Sequence, residues 1–375
     1  AAIFAVESDN GDYSAQLGGR IQLDYNRYDG VINKTETDTD EEWFYRRVRL
    51  SLKGHIKDFK YSVSTNHDDI NDSFDKDSLD KATITYTGWG KKALLTVGQQ
   101  NEYFGLEDTG SSKWITTIER SMPANAFDTG DNRAVKLHGN TDFYTYSLTW
   151  VYDENVNEPN DALDHALTGR FVVRPINANG NLLHLGVAFT QRDGEFDAFG
   201  ARLGIRGGED KLANKVEAEY AGGIADEMKA WNVEAAARVG SLHFMAEYFD
   251  GEMSGVQGNP DIEADGYSLQ AGWIVTGEQR SYKTGKAAFD KVKPSDKMGA
   301  WEVFARYDSL DVSANENDPM IVVDGGEGQT LTLGVNWYLN KYLKFGLNLI
   351  EADVDNAIGG EDNGDAIAGR VQLVF

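Results

Sequence analysis

The chain has 375 residues, and 61 Asp plus Glu against 36 Lys plus Arg give it a formal net charge of -25 at pH 7. So acidic a chain lacks the basic surface of general nucleic-acid binders, and the absence of cysteine excludes disulfide frameworks, thiol catalysis and cysteine-ligated metals. No run approaches the roughly 18 apolar residues of a transmembrane helix, which excludes a helical membrane protein. The chain is nevertheless rich in aromatic residues, with 17 Tyr, 17 Phe and 8 Trp.

The amino terminus starts Ala1-Ala2-Ile3-Phe4 and lacks a basic stretch followed by an apolar core. We therefore expect that a secretion signal has already been removed. From there on, the clearest feature is an alternation of apolar and polar residues with a period of two, which is typical of strands with one apolar and one polar face. The stretch 330–339 shows it plainly, with Leu331, Leu333 and Val335 on one face and Thr330 and Thr332 on the other.

This alternation predicts about sixteen strands, and an even number is typical of closed bacterial barrels. The predicted ranges are 13–28, 42–56, 60–66, 79–87, 93–100, 133–140, 143–152, 166–175, 182–192, 229–239, 242–252, 262–276, 299–309, 328–339, 343–351 and 365–375. No linker divides the sequence, so we expect a single all-β domain over 1–375, a transmembrane antiparallel β-barrel.

The connections between the predicted strands alternate in length. Short ones, such as Lys57-Asp58 and Gly240-Ser241, are expected at the periplasmic end. Long acidic ones, 29–41, 101–132 and 193–228, are expected at the extracellular end. The connection 277–298 is the exception, because it is long and rich in lysine where the order requires a periplasmic turn.

A soluble β-sandwich would also have alternating strands. The polar faces here carry residues such as Arg20, Lys136, Glu302 and Arg306, which suit a water-filled lumen better than a second core. Aromatic residues collect near strand ends, as interfacial girdles require, and the last predicted strand ends on Phe375. The pattern therefore favours a barrel of the Gram-negative outer membrane.

Several segments resemble the phosphate-selective porins O and P of Gram-negative bacteria, in the same order and over nearly the full length. They are LGGRIQLDYNRYDG (17–30), FYRRVRLSLKG (44–54), DKATITYTGW (80–89), FGLEDTGSSKWITTIER (104–120), LGIRG (203–207), TGEQRSYK (276–283), GAWEVFARYDSL (299–310) and TLGVNWY (332–338). The resemblance implies a homotrimer of sixteen-stranded barrels, in which a constriction loop, here about 101–132, folds into the lumen. A second inward loop is implied at about 193–228.

In that family, basic side chains at the constriction bind a partly dehydrated anion, and arginine forks suit phosphate oxygens. The matching motifs imply a narrow point at Arg46, Arg47 and Arg120. Lys113 and Arg20 are expected to extend the basic track, and Arg202 and Arg206 to capture anions above it. Asp80 matches an acidic residue that faces the constriction and favours release, and its alternative is a loop-end aspartate.

Strand parity raises a difficulty for the pair Arg46 and Arg47, because neighbouring residues of a regular strand face opposite sides. A β-bulge near 44–47 would let both face the lumen. Otherwise Arg49 is the expected partner of Arg47, and Arg46 belongs to an interface or a salt bridge at the rim.

Two departures from the family bear on the substrate. The arginine ladder of the family is reduced here to Arg202 and Arg206, and Asp108 stands in the constriction loop where relatives can carry a basic residue. We expect passive diffusion of small anions with phosphate preferred. Pyrophosphate, polyphosphate, other anions, or small solutes with weak selectivity remain the alternatives.

The acidic stretches 35–42, 153–164 and 351–365 have no complete calcium-loop pattern. Solvated loops are the simpler interpretation, and divalent ions that bridge them to lipopolysaccharide are the functional one. The sequence shows no G-x-S-x-G or H-E-x-x-H motif. We therefore expect no enzymatic activity, no cofactor and no resident metal.

Overall fold

The structure is a computed structural model that describes residues 4–34, 40–67, 79–153, 163–206, 213–221, 224–256, 258–314, 321–355 and 363–375. In chain order, its strands are β1 (Phe4–Glu7), β2 (Tyr13–Tyr28), β3 (Asp40–Ile56), β4 (Phe59–Asn66), β5 (Leu79–Tyr86), β6 (Leu94–Asn101), β7 (Asp131–Asn140), β8 (Tyr144–Asp153), β9 (Leu163–Ala178), β10 (Asn181–Phe196), β11 (Ala198–Arg202), β12 (Lys215–Tyr220), β13 (Ala225–Val239), β14 (Leu242–Gly255), β15 (Ile262–Ile274), β16 (Arg280–Lys283), β17 (Ala288–Val292), β18 (Ala300–Ser313), β19 (Ile321–Tyr338), β20 (Leu343–Asp355) and β21 (Asn363–Val374). A 3-10 helix (Gly30–Ile32) and the helices α1 (Leu106–Thr109) and α2 (Met122–Ala126) are short. Within these described ranges, no helix is long and apolar enough to cross a membrane.

Sixteen of the strands form a closed antiparallel barrel, which confirms the predicted fold class. The wall consists of β2 to β10, β13 to β15 and β18 to β21. The first and last wall strands close the barrel, with Arg20 opposite Val374 at one end of their pairing and Tyr28 opposite Ala366 at the other. Closure pairs the backbone groups of every wall strand, as a membrane requires.

The wall strands bury one face and expose the other, as their sequence alternation predicts. On β15, the outward residues Leu269 and Trp273 are exposed, whereas the inward residues Ser268 and Gln270 are buried. Rings gather toward both ends of the outer surface. Examples are the pair Tyr25 and Trp43, with centroids 4.9 Å apart, and the stacked pair Trp301 and Trp337, with centroids 5.3 Å apart.

Most predicted strands lie within a few residues of the observed ones, and β2 coincides with its predicted range. The largest shift is in β19, which begins at Ile321 rather than at 328. Its first residues pair with β12, where Val323 lies opposite Glu219. The shift follows from a tertiary contact with an inward loop, which no local pattern encodes.

The connection 277–298 is not a plain periplasmic turn, which corrects the expectation from strand order. It holds the hairpin β16–β17, and this hairpin lies inside the lumen. Arg170 donates to the carbonyls of Lys286 and Ala287, both at 2.8 Å, and the Tyr282 hydroxyl lies 2.7 Å from His184 Nδ1. Side chains of the wall therefore hold this segment by its backbone.

The lumen is not polar throughout, which is a second correction. Toward the extracellular end, apolar inward side chains of the wall pack against α2 and the hairpin β11–β12. Phe127 of the constriction loop lies against Phe199 of β11 and Phe249 of β14, with ring centroids 4.9 and 5.4 Å away. An apolar core inside the barrel therefore fixes both inward loops.

Candidate anion constriction

The constriction loop connects β6 to β7 and lies inside the barrel. Its first helical turn is fixed by Glu247 of β14, which accepts hydrogen bonds from the backbone N–H groups of Leu106 and Glu107 at 2.6 and 3.1 Å. Helix α2 is capped by the Ser121 side chain, and the Met122 N–H donates to Asp308 at 2.9 Å. Both helical turns are thus docked on carboxylates of the wall.

The segment between the helices is held by its carbonyl groups. Inward polar side chains of β19, β20 and β21 donate hydrogen bonds to four backbone carbonyls of the loop. The pairs are Gln372 to Lys113 (3.0 Å), Lys344 to Ile115 (3.1 Å), Asn336 to Thr116 (2.8 Å) and Arg370 to Ile118 (2.6 Å). Many of the polar residues that alternation places inside the barrel therefore hold the loop rather than line free water.

A β-bulge in β3 resolves the parity difficulty. The register of β2 against β3 shifts between Gln22, which lies opposite Arg47, and Leu23, which lies opposite Tyr45. Arg46 is the extra residue, so Arg46 and Arg47 both face the lumen together with Arg49. One added residue in the strand thereby concentrates three guanidinium groups on one patch of the wall.

These arginines line a cavity of about 500 Å³ between the wall strands β2 to β6 and the constriction loop. Among the described residues, nine basic and five acidic side chains line it. The basic ones are Arg20, Arg46, Arg47, Arg49, Lys81, Lys113, Arg120, Arg206 and Lys286, and the acidic ones are Asp80, Asp108, Glu119, Asp128 and Asp131. The cavity is therefore positive although the chain as a whole is strongly acidic.

Four of the lining cations have carboxylate partners. The shortest nitrogen–oxygen distances are 2.7 Å for Arg46 with Glu119, 2.5 Å for Arg49 with Asp80, 2.9 Å for Lys81 with Asp131 and 3.4 Å for Arg120 with Asp108. Arg120 also donates to the carbonyls of Glu107 and Asp108 at 3.4 and 3.1 Å. Arg120 therefore braces the constriction loop as well as facing the cavity.

Four other lining cations make no ion pair within 4.0 Å in the described part of the chain: Arg20, Arg47, Lys113 and Lys286. Arg20 donates to the Ser112 hydroxyl at 2.9 Å, and Arg47 donates to Gln22 at 3.2 Å. The Nε of Arg47 is buried and has no hydrogen-bond partner in the part of the chain that the structure describes. These four residues, the unpaired cations, can offer N–H donors and positive charge to an anion.

Seven of the eight residues that the sequence suggests for the site line this one cavity: Arg20, Arg46, Arg47, Asp80, Lys113, Arg120 and Arg206. Arg202 does not line it and lies half-buried at the end of β11. The sequence motifs do not assign a role in the site to Lys81, Glu119 or Lys286. The lysine content of the connection 277–298 could have pointed to Lys286. Strand order, however, predicts a periplasmic turn there, and such a turn would lie outside the lumen.

Burial changes the protonation of three groups in the inward segments. Burial and the neighbouring Asp128 raise the pKa of Asp108 to about 7. Burial and the nearby Arg20 lower the pKa of Lys113 to about 8, and burial with the charge of Lys81 lowers the pKa of Lys286 to about 7. The charge of the cavity therefore changes around neutral pH.

The described residues contain no group of three or more His, Cys, Asp or Glu side chains arranged to hold a metal ion. Of the acidic stretches singled out in the sequence, the central parts, 35–39, 154–162 and 356–362, lie outside the described residues.

Comparison with known proteins gives a consistent picture. The family model "Phosphate-selective porin O and P" matches residues 15–375. Porin O of Pseudomonas aeruginosa is 32% identical over 400 residues, which cover 99% of this chain and 90% of that protein. Among solved structures, the anion-selective porin from Comamonas acidovorans has a TM-score of 0.63 at 12% identity and covers 97% of this chain and 100% of that one. The trimer form of OmpT from Vibrio cholerae has a TM-score of 0.60 at 11% identity, with 97% and 99% covered.

Proposed function

The chain belongs to the phosphate-selective porin O and P family, and from that premise we propose that this outer-membrane porin passes phosphate passively through an anion-selective constriction. The observation that carries the proposal is the excess of nine basic over five acidic side chains around the cavity, with four cations unpaired. A phosphate that enters a narrow lumen loses hydration, and N–H donors in a positive field replace it. No chemical step and no cofactor is involved.

The proposed path follows the cations. Arg206, which lines the cavity, and more weakly Arg202, which lies outside it, attract the anion from the extracellular side. Arg47, Arg20 and Lys113 then bind it at the narrow point, where Arg46 and Arg120 add positive field. Asp80, which holds Arg49 at 2.5 Å, limits the positive charge on the periplasmic side of the bound anion and so favours its release.

A second candidate within transport is a porin for other anions, such as pyrophosphate or polyphosphate, or a weakly selective porin for small solutes. The carboxylates on Arg46, Arg49 and Arg120 favour weak selectivity, because paired arginines offer less to a passing anion. The unpaired cations favour an anion-binding pore over a weakly selective one.

The test is single-channel recording of the purified protein in a planar bilayer with chloride salt, while phosphate and then pyrophosphate are added. We expect anion-selective current that low phosphate concentrations block. A current that neither anion changes would contradict a binding constriction, and block by pyrophosphate at clearly lower concentration would favour the second candidate.

We also propose that the protein is a homotrimer, because the structurally similar OmpT of Vibrio cholerae has a trimer form. Apolar residues on the outer face of β3 to β5, among them Leu50, Leu52 and Ile84, are exposed in the single chain and available to a second copy. Native mass spectrometry from mild detergent is expected to give three chains, and a monomer at all detergent concentrations would contradict this.

Contact with lipopolysaccharide through divalent cations is the last part of the proposal. Outward-facing carboxylates at the extracellular end of the barrel support it: Asp250, Glu252, Glu263, Asp265 and Asp311. We expect chelation of Ca²⁺ and Mg²⁺ to release lipopolysaccharide from the purified protein, and retention after chelation would contradict the bridging.

A further inference from the structure

Glu119 of the constriction loop places its carboxylate beside Arg46, one of the arginines that line the cavity. Glu119 lines the cavity, and its side chain is 12% exposed. Its backbone is fixed, because its carbonyl accepts hydrogen bonds from Thr117 at 2.7 Å and from Arg306 at 2.8 Å. The side chain is thus directed into the arginine cluster by the fold of the loop.

The contacts of Glu119 are those that arginine makes with oxyanions. Arg46 donates from Nε to one carboxylate oxygen at 2.7 Å and from Nη2 to the other at 3.0 Å. This two-pronged geometry is also the one by which guanidinium groups bind phosphate. The donor edge of Arg46 is therefore occupied before any permeating anion arrives.

The second partner of Glu119 is Arg370, which donates at 2.9 Å to the same oxygen that receives Arg46 Nε. Arg370 also has its own carboxylate, Asp24, with two contacts of 2.7 Å. Arg46 has no carboxylate partner besides Glu119 among the described residues. Loss of the Glu119 charge would thus free Arg46 while Arg370 stays paired.

We propose that Glu119 is a tethered counter-ion that competes with the permeating anion for Arg46 and so determines the anion selectivity and the affinity of the pore. An anion that reaches Arg46 displaces one side of the Glu119 carboxylate, which remains bound to Arg370. When the anion leaves, the carboxylate returns to Arg46. Such an exchange keeps the binding weak enough for the anion to pass through.

The charge of Glu119 persists under the conditions in which a porin operates. Burial alone would raise the pKa of this carboxyl, but the adjacent Arg46 and Arg370 outweigh burial and hold the pKa well below its usual range. The competition is therefore present at acidic and at neutral pH.

The inference rests on the proposed function, and the test separates the two. Glu119→Gln keeps the shape of the side chain and removes its charge, whereas Glu119→Asp keeps the charge and shortens the side chain. Each variant and the native protein are measured for the zero-current potential in a potassium chloride gradient and for block of chloride current by phosphate. Glu195→Gln, at an exposed outward position of β10, is the matched control for loss of a carboxylate.

We expect Glu119→Gln to raise the chloride-to-potassium permeability ratio and to lower the half-blocking phosphate concentration, on the order of three- to tenfold. Glu119→Asp should keep the native permeability ratio, and Glu195→Gln should change neither quantity. In an Arg46→Gln background, Glu119→Gln should no longer strengthen the block.

An unchanged permeability ratio in Glu119→Gln would overturn the proposal. The same change in Glu119→Asp as in Glu119→Gln would also overturn it, because the effect would then come from the packing of the loop. If phosphate fails to block the native protein, the proposed phosphate function fails, while the chloride permeability ratio still tests Glu119 independently.

Discussion

Two parts of the inner wall carry similar charged residues and use them differently. On the paired wall, the lumen side of β9, β13, β14 and β18, three inward basic side chains have buried acidic partners: Arg170 with Glu234 at 2.5 Å, His243 with Glu302 at 2.6 Å and Arg306 with Asp308 at 2.9 Å. On the open wall, the lumen side of β2 to β6, Arg20 and Arg47 face the cavity without a carboxylate partner among the described residues. An inward-facing charge therefore adds to the field of the pore only where no carboxylate neutralises it.

The comparison also separates stability from selectivity. Removing one partner of a buried ion pair leaves an uncompensated charge in a medium of low polarity, which is strongly destabilising. Removing an unpaired cation next to other cations relieves repulsion between positive charges, so the free energy of unfolding falls only slightly. The two walls should thus respond in opposite ways to the same kind of substitution.

The largest expected effect is on the paired wall. Arg170→Ala leaves Glu234 buried without its arginine and also frees the carbonyls of Lys286 and Ala287 from their donor. We expect the free energy of unfolding to fall by about 3–5 kcal/mol, as measured by urea unfolding in lipid vesicles. Arg47→Ala serves as the control from the open wall, with an expected loss of about 1 kcal/mol, because it removes one hydrogen bond, to Gln22, and no ion pair. Equal losses of unfolding free energy in the two variants would contradict the distinction between the paired wall and the open wall.

The next effect is on binding at the open wall. Arg47→Ala removes a guanidinium group that lines the cavity and has no carboxylate partner among the described residues. A hydrogen bond to a charged group is worth about 1.5–3 kcal/mol, so the half-blocking phosphate concentration should rise about tenfold or more. Arg202→Gln, outside the cavity, is the matched control and should shift the block less than about twofold. If Arg202→Gln weakens the block as much as Arg47→Ala, the binding site lies higher in the lumen than we propose.

The smallest effect comes from pH. As the pH rises from 6 to 9, Asp108 loses its proton near pH 7, Lys286 loses its charge near pH 7 and Lys113 near pH 8. All three changes make the cavity less positive, so the chloride-to-potassium permeability ratio should fall over this interval. Chloride is the proper probe because it does not titrate. Substituting Asp108→Asn and Lys286→Gln together should remove the change near pH 7 and leave the change near pH 8 that comes from Lys113. A ratio that rises with pH would contradict the assignment.

The barrel was predictable because its signal is local and repeated. Alternation on each strand and short turns such as Gly240-Ser241, with Gly240 at φ 59°, encode wall strands without reference to the rest of the chain. The early start of β19 was not predictable, because β12 supplies the backbone partners of its first residues. The hairpin β16–β17 was hidden for the same reason, since Arg170 and His184 on distant strands hold it in the lumen.

For the site, motif resemblance pointed to residues that share one cavity, but not to how their charges are paired. Whether Arg46 is neutralised depends on the position of Glu119, which is 73 residues away in sequence and is reached only through the folded loop. The bulge at Arg46 was foreseen as one of two ways to satisfy strand parity. Which of the two ways occurs depends on the register of β3 against β2, and this register cannot be read from a single sequence.

The most direct test of the account is the zero-current potential in a potassium chloride gradient at pH 7, for the native protein and for Arg20→Gln/Arg47→Gln. We predict that the native pore is anion-selective and that the double variant loses most of this selectivity, because two of the unpaired cations are gone. A cation-selective native pore, or a double variant with native selectivity, would contradict the claim that the open wall determines what the pore admits.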